Sequence, residues 1–512
     1  MVAHTHGSVT LGVQAHIIDV EADVSAGLPG FTMVGLADTA VNEARERVKS
    51  AMTNSGISWP KTRVTIALLP ASWRKRGSGL DLAIAAAILA ESGVVPGAAV
   101  AQSVFVGELG LDGSVRPVTG VIATTLAARD AGYQQVLVPV ANAAEAALVP
   151  GVSVGAIRDL AQLVQVLTGR TPLPDPPAST ESKPGPSLAD LADVRGQLEA
   201  RRALEIAAAG GHHLSMMGTP GVGKTLIAER LPGILPPLTD AAALQATAIA
   251  SIAGLADGCG LQRRPPFQAP HHTASKASII GGGRGSQVRM GAVTLAHHGV
   301  LFLDEAAEFD HDVLNAMRQP LEGGVIRLHR ADFAVVLPAK FHLVIAANPC
   351  PCGYGIGRGS SCSCSTLQRR RYAIKLSGPL MDRIDLRLTM TRPSVADLRT
   401  EGESSAVVAQ RVLAARDRST HRWREFSNED GDSVGLNAAM PSAALRRHFP
   451  PSDQGAQDLM RALDRGLLTL RGADRVLRVA WTLADLNERG QPSRHDIGFA
   501  MSLRATEGEW AA

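Results

Sequence analysis

The segment Gly218–Thr225, which reads Gly-Thr-Pro-Gly-Val-Gly-Lys-Thr, constrains this chain more than any other feature. It matches the pattern G-x-x-x-x-G-K-[ST], in which glycines let backbone N–H groups close around phosphate oxygens. Lys224 would reach the outer phosphates, and the Thr225 hydroxyl would ligate Mg²⁺. An apolar run, His213–Met217, precedes the segment, and a helical pattern, Leu226–Leu231, follows it. The sequence therefore predicts a phosphate-binding loop between a strand and a helix, formed by Gly218, Thr219, Pro220, Gly221, Val222, Gly223, Lys224 and Thr225.

A pair of acids follows a second apolar run. Val300–Leu303 ends in Asp304 and Glu305. A buried strand with this ending delivers carboxylates to its C-terminal edge, where nucleotides bind in parallel sheets. We expect Asp304 to hold Mg²⁺ through water and Glu305 to act as the base toward the attacking water. The alternative is a strand that ends in solvated acids, which the phosphate loop disfavours.

Two more polar residues are candidates for the same chemistry. The run Phe341–Ala347 is typical of a strand and ends at Asn348, whose amide could sense the γ-phosphate or could simply cap the strand. Arg383 lies in a helix-to-strand turn, where an Arg supplied by a neighbouring subunit would neutralise charge that develops in phosphoryl transfer. The alternative for Arg383 is an ion pair with a nearby Asp, which contributes little at a surface.

Length and composition set the domain organisation. The chain has 512 residues, of which 45% are hydrophobic and 19% charged, so about two to four packed domains are expected. A proline-rich stretch, 169–187, indicates an extended linker. Strand and helix patterns alternate in 1–168 and again in 188–395, whereas 396–512 is mainly helical. The expected fold class is therefore α/β, with two α/β domains and a helical C-terminal domain.

Several individual elements can be predicted from periodicity. Ile18, Val20 and Ala22 alternate with acids, which is typical of a half-exposed strand. The C-terminal part predicts helices over 405–417, 457–468, 473–487 and 494–503.

Charge and hydrophobicity exclude some classes of protein. The net charge is +3 and aromatic residues make up 4%, so any nucleic-acid surface must be local and cannot depend mainly on stacked bases. No apolar run approaches the roughly 20 residues of a membrane span. The N-terminal residues lack the basic and apolar regions of a signal peptide. We therefore expect a cytoplasmic protein with no membrane segment.

Four of the five cysteines fall in one short loop, as Cys350, Cys352, Cys362 and Cys364. Four thiolates can surround one Zn²⁺ ion tetrahedrally, which makes this loop, 350–364, a candidate zinc site. The C-x-C spacing is tighter than usual in such sites, so free thiols and redox pairing remain alternatives. Disulfides are disfavoured in the cytosol. The neighbouring Arg369–Arg371 could offer a basic surface to DNA or could be a solvated helix face.

Together these motifs resemble the magnesium-chelatase-like AAA+ ATPases, and among them the YifB/ComM group. The resemblance covers nearly the whole chain. It is carried by DVRGQ (193–197), GTPGVGKT, APHHTAS (269–275), GVLFLDE (299–305), AANPCPCG (346–353) and LSGPLMDRIDL (376–386).

The resemblance implies a hexameric ring with ATP and Mg²⁺ bound between subunits, Arg383 acting in trans and Arg475 as a second sensor in the helical lid. It implies that 265–285 is an insertion within the second helix of the ATPase domain. It also implies that the ring is an ATP-driven DNA helicase that migrates branches during the integration of incoming DNA. A motor for metal insertion, or for remodelling a protein partner, is the alternative. The cysteine loop and the N-terminal domain speak against metal insertion, since chelatase motors lack both.

The N-terminal domain, 1–168, resembles the Lon protease domain, which raises a peptidase hypothesis. Ser78 is the candidate nucleophile, but no lysine occurs between Lys75 and Lys183, so the base of a Ser–Lys dyad is missing. We therefore expect a catalytically inactive scaffold.

Other basic and histidine segments have open roles. The segment GGVIRLHR predicts a β-hairpin that carries Arg327, His329 and Arg330, which could touch DNA or be solvated. The basic segment 411–424 could likewise contact DNA or form a solvated face. The pairs His271/His272 and His297/His298 are expected to have loop or pore roles rather than to bind a metal.

Overall fold

The computed structural model describes most of the chain, namely residues 2–36, 38–71, 75, 77–177, 189–255, 260–283, 288–330, 333–355, 361–376, 378–426 and 435–504. Part of the predicted linker, the end of the predicted insertion and Cys259 lie outside these residues.

The N-terminal part is built on a seven-stranded mixed sheet in the order β3-β4-β2-β1-β5-β8-β9. The predicted alternation in β2 is confirmed, because Ile18, Val20 and Ala22 are fully buried. The helix α3 is buried along nearly its whole length, as its Ala-rich sequence predicts. The strands are β1 Ala3–Leu11, β2 Gln14–Ser25, β3 Gly30–Val34, β4 Arg63–Leu69, β5 Ser103–Phe105, β6 Glu108–Leu109, β7 Val115–Arg116, β8 Gln135–Pro139 and β9 Ser153–Ile157. The helices are α1 Thr39–Asn42, α2 Ala44–Asn54, α3 Asp81–Glu91, α4 Gly97–Val100, α5 Val121–Asp130, α6 Val140–Ala146 and α7 Leu160–Leu167.

The central part contains a five-stranded sheet in the order β11-β14-β17-β10-β18, in which every neighbouring pair is parallel. Its inner strands are buried throughout, which explains their continuous apolar sequences. The strands are β10 Leu214–Gly218, β11 Phe267–Gln268, β12 Gly281–Gly282, β13 Arg289–Met290, β14 Val300–Leu303, β15 Val325–Arg330, β16 Phe333–Pro338, β17 His342–Ala347 and β18 Leu386–Met390. The helices are α8 Leu198–Gly210, α9 Lys224–Ala228, α10 Leu231–Ile234, α11 Asp240–Ile252, α12 Lys276–Ile280, α13 Ala292–Leu295, α14 His311–Ala316, α15 Arg318–Gly323 and α16 Thr366–Leu376.

The C-terminal part is helical, as predicted, and packs on the central sheet through a shared apolar core. Its helices are α17 Ser405–Trp423, α18 Ser442–His448, α19 Asp453–Asp464, α20 Leu470–Leu486 and α21 Arg494–Ser502. The helix α20 begins three residues before the predicted start, because the Thr469 side chain caps it by accepting the N–H of Gly472. None of the described helices is long and apolar enough to cross a membrane.

The basic segment 411–424 differs from both of its sequence interpretations. It forms the second half of α17, and four of its five arginines donate to acceptors within the chain. Arg411 donates to Glu205, and Arg416 donates to the carbonyl oxygen of Ala208. Burial lowers the pKa of Arg416 to about 10. These contacts tie the helical part to α8, which argues against a DNA surface on this segment.

The N-terminal and central parts also pack against each other. The β1–β2 turn places Gly12 so close to the β15–β16 hairpin that a Cβ there would lie 2.4 Å from Val335 Cγ2. Nearby, Ile122 on α5 and Ala248 on α11 share a small apolar cluster. The N-terminal part therefore contacts the central part at the base of the hairpin and on α11.

Asp485 is the centre of a buried polar network in the helical part, and its loss is expected to be costly. Its carboxylate is 1% exposed and accepts from Arg422 and from Asn437 Nδ2 at 2.8 Å. Asp485→Ala leaves the Arg422 charge unpaired, so the free energy of unfolding should fall by about 3–5 kcal/mol. The matched control is Arg461→Ala, which breaks an ion pair whose Arg is 61% exposed and should cost under about 1 kcal/mol. Urea unfolding followed by circular dichroism measures both, and equal midpoints would contradict this reading.

Candidate nucleotide-binding site

The phosphate loop connects β10 to α9, as the sequence predicts. Gly221 and Gly223 adopt φ angles of +75° and +97°, which side chains with a Cβ rarely allow. The loop follows the carboxyl end of β10, the strand between β17 and β18. It therefore lies at the edge of a parallel sheet where ligands bind in such folds.

Lys224 is placed where it can meet phosphate oxygens and is already linked to Asn348. Its Nζ donates to the carbonyl oxygen of Gly218 at 2.7 Å and to Asn348 Oδ1 at 3.0 Å. The side chain is largely buried, and this burial lowers the pKa of the amine. The residue at the end of β17 thus contacts the residue that would hold the phosphates, as expected of a sensor.

Thr225 and Asp304 form the candidate magnesium site. Thr225 Oγ1 donates to Asp304 Oδ2 at 2.6 Å, which brings a hydroxyl and a carboxylate oxygen together. Oxygen donors of these two kinds are what Mg²⁺ prefers, usually with water and nucleotide phosphates completing its shell. The residues present therefore fit the ion, which would neutralise phosphate charge when bound.

Glu305 sits in a strained backbone conformation next to a histidine. Its φ is +49°, and its N–H donates to Asp304 Oδ1 at 2.8 Å. Non-glycine residues in this region are costly and are concentrated at functional sites. His272 Nδ1 lies 3.1 Å from Glu305 Oε2, so the carboxylate is held from outside the strand. Sequence reasoning predicted only a loop or pore role for His272 and did not indicate this contact.

Gln197 is a second residue that sequence reasoning did not assign to the site. Its side-chain amide donates to the carbonyl oxygens of Val222 at 3.1 Å and Thr391 at 2.8 Å. It thereby ties the phosphate loop to the end of β18. The only sequence signal was its position in the DVRGQ motif.

Arg383 and Arg475 lie at the other edge of the sheet. Arg383 precedes β18, whose first residue Leu386 pairs with Leu214 at the start of β10. Arg475 donates to the carbonyl oxygen of Arg383 at 3.0 Å. A five-residue strand spans about 15 Å, so neither guanidinium is near the phosphate loop of its own chain. Arg383 instead pairs with Glu322, and its side chain is 13% exposed.

A cavity of about 910 Å³ opens at this amino edge, lined by both arginines, Asp385 and His213. Burial alone would raise the pKa of Asp385, but the neighbouring Arg475 holds it well below its usual range. Burial lowers the pKa of His213 to about 4, and its Nδ1 accepts the N–H of Leu343. Asp385 pairs with Arg475 at the cavity wall, and Arg475 in turn donates to the backbone carbonyl oxygen of Arg383.

The cysteine cluster is close to the geometry of a metal site. The sulfur atoms of Cys350, Cys352 and Cys362 are 3.3–3.6 Å apart, and all four sulfurs lie within 4.8 Å of one another. Four sulfurs bound to one zinc ion would be about 3.8 Å apart. A hydrogen bond from the Tyr354 backbone lowers the pKa of Cys352 to about 6, whereas burial raises the pKa of Cys350 to about 12. The four cysteines are free thiols that could bind a metal ion.

The remaining candidates lie away from the phosphate loop. Ser78 donates to Glu108, and Lys75 donates to the carbonyl oxygen of Pro70. His297 is a core residue whose Nδ1 accepts the N–H of Lys340, and burial lowers its pKa to about 3.

Two substitutions separate binding from hydrolysis at this site. Lys224→Ala removes the amine that would meet the phosphates, so ATP binding should be lost. Glu305→Gln keeps the loop and Asp304 intact but removes the base, so ATP should still bind while turnover falls by at least 100-fold, as for other catalytic bases. Isothermal titration with ATP and a phosphate-release assay measure the two effects. Normal turnover by the Glu305 variant would remove it from this role.

Known protein families cover the chain from its N-terminal sheet to its last helix. Residues 190–398 match the family described as magnesium chelatase, subunit ChlI. Residues 20–142 match subunit ChlI of Mg-chelatase, and residues 402–504 match the ChlI C-terminal family. The match at 20–142 corrects the expectation that chelatase motors lack such a domain, so the N-terminal domain does not argue against metal insertion.

Individual proteins are similar over nearly their full length. A Mycobacterium tuberculosis protein is 48% identical over 97% of each chain. YifB of Escherichia coli is 39% identical over 98% of this chain and 97% of its own. The competence protein ComM of Haemophilus influenzae is 37% identical over 98% of this chain and 97% of its own. The chain therefore belongs to the magnesium-chelatase-like YifB/ComM family of AAA+ ATPases.

Proposed function

We propose that this protein is an ATP-driven ring motor that moves along DNA and migrates branches, as the ComM-type resemblance implies. The observation that supports a ring is that Lys224 and the two arginines, Arg383 and Arg475, lie on opposite edges of the central sheet. If the arginines act on ATP, they act on ATP held by a neighbouring subunit. A closed ring, hexameric in this proposal, gives every phosphate loop such a neighbour.

In this arrangement the cavity at the amino edge receives the phosphates bound to the adjacent chain. Arg475 lies beside Arg383, so both would serve the same trans site. Arg383 must then leave Glu322 when the subunits meet. The phosphate charge would compete for the guanidinium, because bidentate pairs of Arg with phosphate are strong.

DNA contact is proposed on a unit formed by two projecting hairpins. Residues of the β15–β16 hairpin share one apolar core with α12, α13 and Val288, which directly precedes β13. Arg289, Arg327 and His329 are exposed on these strands. Exposed arginines on adjacent hairpins suit phosphate contacts that need no base stacking, which agrees with the low aromatic content. The name of the competence protein relative supports a role with incoming DNA.

Stimulation of hydrolysis by DNA tests this proposal. ATP turnover should rise several-fold with single-stranded or four-way-junction DNA. Arg327→Ala should reduce this stimulation and lower the slope of log affinity against log salt by about 1. The control is Arg158→Ala, whose side chain is 75% exposed in the N-terminal part and should change neither. An ATP hydrolysis rate that does not change with any DNA structure would contradict a DNA motor. It would favour a motor that remodels a protein partner.

We also propose that the four-cysteine cluster binds Zn²⁺. The sulfur distances support this, and thiolates are the ligands that zinc prefers in structural sites. Protein purified without chelator should contain about one zinc ion per chain by elemental analysis. Cys352→Ser combined with Cys364→Ser should remove it. Well under one zinc per chain in the unaltered protein would contradict the site.

A further inference from the structure

The cysteine cluster and the phosphate loop are in direct contact. Gly353 follows Cys352 in the loop and adopts a φ of +84°. A Cβ at this glycine would lie 2.6 Å from Pro220 Cγ and 2.7 Å from Pro220 Cδ. Pro220 belongs to the phosphate loop, so the backbone of the cysteine loop packs on its outer side without an intervening side chain.

A second connection runs through the chain itself. Cys350 is two residues after Asn348, which accepts from Lys224 Nζ. Cys350 is fully buried, and its carbonyl oxygen accepts the N–H of Gly353 at 2.9 Å, which closes a tight turn. The same turn thus fixes Asn348 on one side and presents Gly353 to Pro220 on the other. The segment 348–353, which carries two of the cysteines, therefore contacts the phosphate loop at both its lysine and its proline.

We infer that the metal-bound cysteine cluster supports the phosphate loop, so that the affinity for ATP depends on the metal. This inference rests on the zinc site proposed above. Four bonds from a metal to thiolates would hold the 350–353 turn in one conformation, because metal binding contributes directly to the folding of such segments. Loss of the metal would release the turn. Pro220 and Asn348 would then lose their fixed neighbours, and a phosphate loop that must be ordered on binding binds more weakly.

The Cys352→Ser/Cys364→Ser variant tests the dependence on metal. It should lose zinc and bind ATP at least ten-fold more weakly in isothermal titration, while circular dichroism shows a folded chain. Should that variant fail to fold, treating the unaltered protein with a chelator and then restoring Zn²⁺ should weaken and recover ATP affinity reversibly.

Gly353→Ala tests the contact separately from the metal. The new Cβ meets Pro220, so this variant should keep about one zinc ion per chain and still bind ATP more weakly. The matched control is Gly466→Ala, which has a similar φ of +68° but nothing within 4 Å of its Cβ. It imposes the same backbone strain and should leave ATP affinity unchanged.

The outcomes distinguish the three claims involved. Protein freed of zinc by chelation or by the double substitution that binds ATP with unchanged affinity overturns the inference and leaves the zinc site standing. Unaltered protein that contains no zinc when purified without chelator, and still binds ATP, overturns the zinc site and the inference with it. Unaltered, zinc-loaded protein that binds no ATP contradicts the nucleotide site instead.

Discussion

All five strands of the central sheet run in the same direction, and the arrangement of the functional groups depends on this. Parallel strands bring every carboxyl end to one edge, which collects Lys224, Asp304 and Asn348 although they are far apart in sequence. The same geometry sends the residues that precede the strands to the opposite edge, where Arg383 and Asp385 lie. One chain therefore carries the phosphate loop and Arg383 on opposite edges of the sheet, an arrangement that would let identical chains side by side complete one another's sites.

Each half is held by packing from elements outside the sheet. Gln197 fastens the phosphate loop to the end of β18, and the cysteine turn packs on Pro220. At the other edge, Asp385 orients Arg475 from α20, and arginines of α17 bond to α8. The helical part therefore contacts the amino edge of the sheet, whereas the cysteine loop contacts the phosphate loop.

Sequence reasoning predicted the residues whose chemistry requires a fixed local spacing. The phosphate loop, the acids after β14 and the clustered cysteines belong to this class, and so does the half-buried pattern of β2. It could not predict contacts between segments distant in the chain, such as His272 with Glu305 or Gly353 with Pro220. It also misjudged 411–424, because a row of arginines has the same appearance in sequence whether it faces solvent or pairs with buried acceptors such as Ala208. The positive φ angles of Gln197 and Glu305 could not be predicted either, because hydrophobic periodicity does not depend on the φ angle of a single residue.

We propose that each ATP is bound by the phosphate loop of one chain and hydrolysed with the assistance of Arg383 from the neighbouring chain. Mixing Lys224→Ala protein with Arg383→Ala protein tests it directly, since each variant alone lacks one half of every site. A mixed ring contains interfaces at which an intact phosphate loop faces an intact Arg383. ATP turnover should therefore be near zero for either variant alone and recover on mixing, to about a quarter of the normal rate at equal proportions if chains mix at random. An Arg383→Ala protein that hydrolyses ATP at the full rate, or a mixture that recovers nothing although its chains co-assemble, would contradict the account.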